Sequence, residues 1–265
     1  MTDIGPWFET VRLWVDTFDE VAPRTLEGLY VIGSIALDDW QPSSSDIDIV
    51  AITAEPADDF AADALREAHL TFGQRCPGAV VDGPFLAWGD LTLSPQGVSR
   101  PWTLAGAFHH DAECFELNPV TWYTLTNYGV RVRGPQTADL EIPRDTEALV
   151  RFTLDNARDY WCTVYQEFSA AIGELGAADT LPSSVPVWCL LGVCRMLYTV
   201  STGDVTSKSV AGGWAAERLG ENYRAACELA VLLRAQPDQA VGIDELRDSC
   251  NAMAAALRDL GVLQS

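Results

Sequence analysis

The chain has 265 residues, enough for two small domains with a sizeable core in each. Its 38 acidic and 17 basic residues leave a formal net charge of -21. Such a surface repels nucleic-acid phosphates, which a binder must neutralise with Lys and Arg, so no nucleic-acid partner is expected. A cationic small molecule would instead be drawn to it.

Seven cysteines, at 76, 114, 162, 189, 194, 227 and 250, form no CxxC pair, and the three histidines, at 69, 109 and 110, form no zinc pattern. The amino terminus lacks the basic region of a signal peptide. No uninterrupted apolar run reaches membrane-spanning length. These features predict a cytoplasmic protein of a reducing compartment, with no membrane partner; a monomer is expected, though nothing in the sequence fixes the oligomeric state.

Apolar residues at helical spacing over 7–21 predict a first helix, stopped by Pro23. An apolar strand at about 28–33 then runs into Gly33-Ser34, and eleven residues after Ser34 comes Ser45-Asp46-Ile47-Asp48-Ile49-Val50. The side-chain period of a strand is two, so Asp46 and Asp48 share a face while Ile47, Ile49 and Val50 serve the packing. Adjacent carboxylates repel unless a cation sits between them. Hard oxygen ligands suit Mg²⁺, which takes one or two protein carboxylates and completes its shell with water and phosphate oxygens. Gly33 lets the backbone approach a phosphate, and Ser34 can add its hydroxyl. This arrangement resembles the signature of the nucleotidyltransferase superfamily, to which DNA polymerase β and the antibiotic nucleotidyltransferases belong.

A helix is predicted from Asp58-Asp59 to about residue 73, and a third strand over 79–88, where Pro84 suggests an edge position or a bulge. Residues 91–113 are the least regular stretch, read as either a flexible substrate-facing loop or a plain connection. A short helix follows at 119–128, beginning with Pro119, and then a short strand at Val130-Arg131-Val132-Arg133. After Pro143 the pattern becomes almost purely helical, over 145–172, 186–201, 207–219, 221–235 and 243–261. The expected fold is α+β: a polymerase β-like α/β domain over residues 1–138, then an all-α bundle over 139–265. A ligand cleft is expected between them.

In the second half, Val193-Cys194-Arg195-Met196-Leu197-Tyr198 through Gly203, then Ser207-Lys208-Ser209-Val210-Ala211 and Trp214 to Leu219, resemble the C-terminal helical domain of the aminoglycoside (streptomycin/spectinomycin) adenylyltransferases. With the front-end motif, the resemblance covers most of the chain. It implies transfer of AMP from ATP to a hydroxyl of an aminocyclitol antibiotic, with two Mg²⁺ ions. It implies Asp46, Asp48 and a third carboxylate as metal ligands, and Ser34, Ser45, Arg195 and Lys208 as nucleotide contacts. Lys208 is the only lysine among the 17 basic residues, and a compact ammonium can meet a triphosphate as a point charge where a planar guanidinium would not fit.

The resemblance places a general base on the strand after the Asp-x-Asp hairpin. Asp82 is the choice, as base and third metal ligand, with Asp90 and then Glu116 behind it. The sequence departs from the family here, offering Val81-Asp82-Gly83 in place of a glutamate between leucines. It departs again over 176–186, which keeps Asp179 and has no tryptophan, so the family's streptomycin contacts are not matched there and the expected acceptor is a hydroxylated, cationic small molecule whose identity the sequence leaves open. An adenylyltransferase acting on protein, a non-enzymatic nucleotide-binding regulator and a structural protein with a coincidental motif are the competing readings.

Overall fold

The computed structural model describes residues 5–93, 99–110 and 113–264. It divides into two compact units, residues 1–145 and 146–265. The first is mixed α/β and the second almost wholly helical, the α+β class expected. Residues 139–145, expected in the helical domain, group with the first unit because Leu140 and Ile142 pack into its core beside Trp122 and Leu125.

In the first unit, α1 (Trp7–Val21) leads to β1 (Leu26–Val31), the short α2 (Gly33–Ala36) and β2 (Ile47–Thr53). Then come α3 (Asp59–Arg75), β3 (Val81–Ala87), β4 (Trp102–Leu104), β5 (Ala107–His109), α4 (Pro119–Tyr128) and β6 (Val130–Arg133). The six strands form one sheet in the order β5-β4-β3-β2-β1-β6. β2 and β3 run parallel, joined by the crossover through α3, and the other neighbours are antiparallel.

Alternation along β1 and β2 explains why both sheet faces are covered. Leu29, Val31, Ile49 and Ala51 pack with Trp14 and Phe18 of α1 and with Leu65 and Phe72 of α3. Tyr30, Val50 and Ile52 pack the other way, with Trp102, Trp122 and Leu125. The Asp58 side chain caps α3 by accepting from the Ala61 amide at 2.8 Å, and Asn118 caps α4 in the same manner.

Two expectations are corrected here. Pro84 lies in an interior strand, between β2 and β4, and the register with β2 keeps one offset on both sides of it, Asp48 opposite Asp82 and Ala51 opposite Phe85. The missing N–H is accommodated locally, since Gly83 donates to the Thr103 hydroxyl at 3.1 Å and Phe85 to the Pro101 carbonyl at 2.8 Å. The stretch judged least regular holds the β4–β5 hairpin. Ala105 and Gly106 at its tip both have positive φ, 51° and 76°, as a two-residue type I′ turn requires.

The second unit contains α5 (Thr146–Asn156), a π-helical turn over Ala157–Trp161, α6 (Cys162–Glu174), α7 (Ser184–Thr202), α8 (Lys208–Arg218), α9 (Glu221–Leu233) and α10 (Ile243–Asp259). It is not purely helical: β7 (Thr180–Pro182) and β8 (Ala240–Gly242) pair antiparallel. The π turn interrupts what reads in sequence as one helix over 145–172. At its end Trp161 lies across α7, where a Cβ on Gly192 would come within 2.2 Å of the indole. α7 is long and apolar enough to cross a membrane, but it is the central helix of this unit, with Leu190, Leu191, Val193 and Cys194 wholly buried. All seven cysteines are free thiols.

Candidate active site

The site begins where β1 ends. Gly33 turns the chain with φ of 60°, and a Cβ there would lie 1.7 Å from Asp48 Oδ2. Glycine is therefore required twice over, by the left-handed backbone and by the carboxylate lying against it. The Ile32 amide donates to the Asp48 carbonyl at 2.9 Å, stitching the turn to β2. The Ser34 hydroxyl is buried and has no hydrogen-bond partner among the described residues. Ser45 is engaged locally: its Oγ accepts from the Gln41 amide at 3.1 Å, and its own amide donates to the Gln41 carbonyl at 2.9 Å.

Asp46 is exposed just ahead of β2, and Asp48, the second residue of β2, is half-buried. Asp82 is the register partner of Asp48 on the adjacent parallel strand and is buried. Its two oxygens accept from the tip of the hairpin, Oδ2 from the Ala105 amide at 2.6 Å and Oδ1 from the Gly106 amide at 3.3 Å. Burial pushes the Asp82 pKa up, and the nearby Asp46 carboxylate adds to that, while the two amides and His69 act against it.

Among the described residues no group of three or more His, Cys, Asp or Glu side chains is arranged to hold a metal ion. Asp82 turns both of its oxygens to the hairpin amides. Asp46 and Asp48, two residues apart at the start of β2, are a pair of hard oxygen donors of the kind that fits a cation whose other ligands are phosphate oxygens and water.

Asp90 has a different task. Its carboxylate accepts from the Ala87 amide at 2.8 Å and takes Arg100 in a two-pronged pair, at 2.8 and 2.7 Å. Buried and engaged by these partners, it secures the chain after β3. Glu116 is half-buried on the approach to α4.

In the second unit, Arg195 is an exposed residue on α7 and Lys208 is the half-buried first residue of α8. The Ser207 side chain caps α8 by accepting from the Val210 amide at 3.2 Å. The segment without tryptophan, 176–186, is followed by Trp188, 42% exposed and 4.8 Å from the Trp161 ring. Sequence reading missed that aromatic pair, because the two partners lie on different helices. It also missed His69, buried on α3, whose Nε2 is 2.9 Å from the Gly106 carbonyl.

Residues 156–258 match the family model for the C-terminal domain of aminoglycoside adenylyltransferase. The chain resembles the aminoglycoside adenylyltransferases. Among solved structures, the spectinomycin adenyltransferase AAD(9) from Enterococcus faecialis, crystallised with ATP and spectinomycin, superposes with a TM-score of 0.67. The match covers 96% of this chain and 99% of that adenyltransferase at 16% identity, so it speaks to the fold. Comparison with curated proteins found no match.

Proposed function

We propose that the protein is a nucleotidyltransferase that moves AMP from ATP to a hydroxyl of an aminoglycoside- or aminocyclitol-like small molecule, releasing pyrophosphate. One observation carries the reading: Asp48 stands in register with Asp82, and its carboxylate rests on a glycine that could be no other residue. The likeness in fold to an adenyltransferase bound to ATP and spectinomycin supports the reaction class. The net charge of -21 favours approach of a cationic acceptor, and antibiotic resistance, in the cytoplasm, is the role that goes with such an acceptor.

Asp46 and Asp48 would hold Mg²⁺, which when bound neutralises phosphate charge and stabilises the attacking and leaving oxygens. Ser34 offers its unpartnered hydroxyl, and Gly33 the close backbone approach, to the nucleotide phosphates. Ser45 closes the loop that delivers Asp46, and its hydroxyl proton remains free to donate. Asp82 is assigned as the base. Each of its oxygens keeps a lone pair beyond the amide it already accepts from, and burial raises its proton affinity. Arg195 and Lys208 are assigned to the phosphates, drawing charge away from the departing pyrophosphate. Positioning and electrostatics would supply most of the rate.

The test is a pyrophosphate-release screen of aminoglycosides and aminocyclitols against each nucleoside triphosphate. ATP with at least one such acceptor should give turnover. Asp46→Asn and Asp48→Asn should each abolish it with the fold intact, since each removes charge from the metal site at constant volume. Residual activity above about a tenth, a barrier change of only ~1.4 kcal/mol, would overturn the metal assignment.

A further inference from the structure

We infer that His69 is a positioning residue for the proposed base: through the Gly106 carbonyl it fixes the hairpin turn whose amides hold Asp82 opposite Asp48. The inference rests on the reading of Asp82 as the base and adds a residue that neither the motif nor the resemblance points to.

The contacts form a short chain. His69 lies on α3, on the crossover between the two parallel strands, and is only 6% exposed. Its Nε2 donates to the Gly106 carbonyl at 2.9 Å, which fixes the neutral ring as the Nε2–H tautomer. The Gly106 amide, one peptide group earlier, donates to Asp82 Oδ1, and the Ala105 amide donates to Oδ2. Successive peptide groups of one turn are thus gripped from opposite ends, by an imidazole at the carbonyl and a carboxylate at the amides.

The turn needs that grip. Ala105 is a non-glycine residue at φ of 51°, a conformation that persists only when its surroundings hold it. The two flanking strands have three residues each, and β5 is the sheet's edge, so the hairpin has little pairing of its own to keep the tip in place. His69 is further packed near the Phe108 ring on β5, with centroids 6.3 Å apart. Its Nδ1 is buried without a partner, so Nε2 carries the residue's polar contact with the hairpin. A base displaced by about 1 Å loses its hydrogen-bond reach to the attacking hydroxyl, and such a displacement can cost about a hundredfold in rate.

The experiment uses two polar replacements of similar size. His69→Gln can place its amide nitrogen where Nε2 stood and still donate to Gly106. His69→Asn puts the amide at the Nδ1 position, too short to reach. His69→Asn should lower kcat about ten- to a hundredfold with the KM for ATP unchanged, and His69→Gln should restore most of it. In an Asp82→Asn background His69→Asn should cause no further loss, because His69 acts only through Asp82. Independently of turnover, amide exchange at Ala105 and Gly106 should quicken in His69→Asn and stay slow in His69→Gln. Equal losses in the two variants, a further loss in the Asp82→Asn background, or unchanged exchange in His69→Asn would overturn the role of His69. Wild-type turnover in Asp82→Asn alone would instead overturn the assignment of the base.

Discussion

Gly33 and Asp48 form a single unit at the residue scale. The glycine's positive φ and the carboxylate 1.7 Å from its absent Cβ leave no alternative side chain. Gly33→Ala should cost about 1–3 kcal/mol in backbone strain and push the Asp48 carboxylate out of place. Denaturant titration should therefore show a modest loss of stability, while AMP transfer falls at least as far as in Asp48→Asn. A stable variant with full turnover would show that the turn does not seat Asp48. The motif was legible in sequence because all its determinants lie within residues 30–50, in a strand, a turn and an alternating pair. The state of Asp82 was not, since the amides that hold it come from residues 105 and 106, more than twenty positions away. Asp82 and Asp90 look alike in sequence and are told apart by their partners: two turn amides for the first, an arginine and a cap for the second.

Among the elements, long periodic segments were readable and short or exceptional ones were not. The helices at 7–21 and 119–128 and the strand at 130–133 stand where spacing and end signals put them. The β4–β5 hairpin was missed because its tip is Ala-Gly, without the Asn-Gly or Asp-Gly signal of a type I′ turn, and its strands are three residues long. The π turn at 157–161 leaves no trace in a pattern read at 3.6 residues per turn. The edge strand β6 has a tie that can be tested. Arg133 makes a two-pronged pair with Asp19 of α1, at 2.7 and 2.5 Å, and also donates to the Leu26 carbonyl at 3.0 Å. The hydrogen bond from Arg133 holds the Asp19 pKa below its ordinary value. A depressed carboxylate stabilises the fold above its unfolded pKa and loses that contribution as pH falls through the folded one. Asp19→Asn should therefore lower the unfolding free energy at neutral pH, by no more than about 1 kcal/mol for so exposed a pair, and the melting temperature slightly with it. The gap from wild type should close as pH drops below about 4. A gap independent of pH would mean that the pair contributes through packing alone.

For the molecule as a whole, the two-unit organisation was visible as a change from mixed to helical periodicity. The small β7–β8 sheet was not, because three-residue strands fall below what alternation can report. Lys208 tests whether the second unit takes part in binding ATP. Lys208→Ala should weaken ATP binding about tenfold or more, the worth of a partly desolvated charge-assisted contact, and weaken AMP binding less, because AMP lacks the β- and γ-phosphates. Calorimetry with both nucleotides reads the difference, and equal losses would remove Lys208 from the triphosphate. Lys208→Arg should restore binding only in part, the guanidinium being larger and planar.

The same residue gives the chain an unusual digestion map. A protease specific for lysine has one bond to cut, Lys208–Ser209, in the first turn of α8. That bond is half-buried and helical, so cleavage waits on local opening of the second unit, and its rate reports the free energy of that opening. One band would become two, of residues 1–208 and 209–265, with α7 left on one fragment and α9 and α10 on the other. A single cut would thus time the loosening of the helical unit alone, with the sheet and its aspartates offering the protease nothing to cleave.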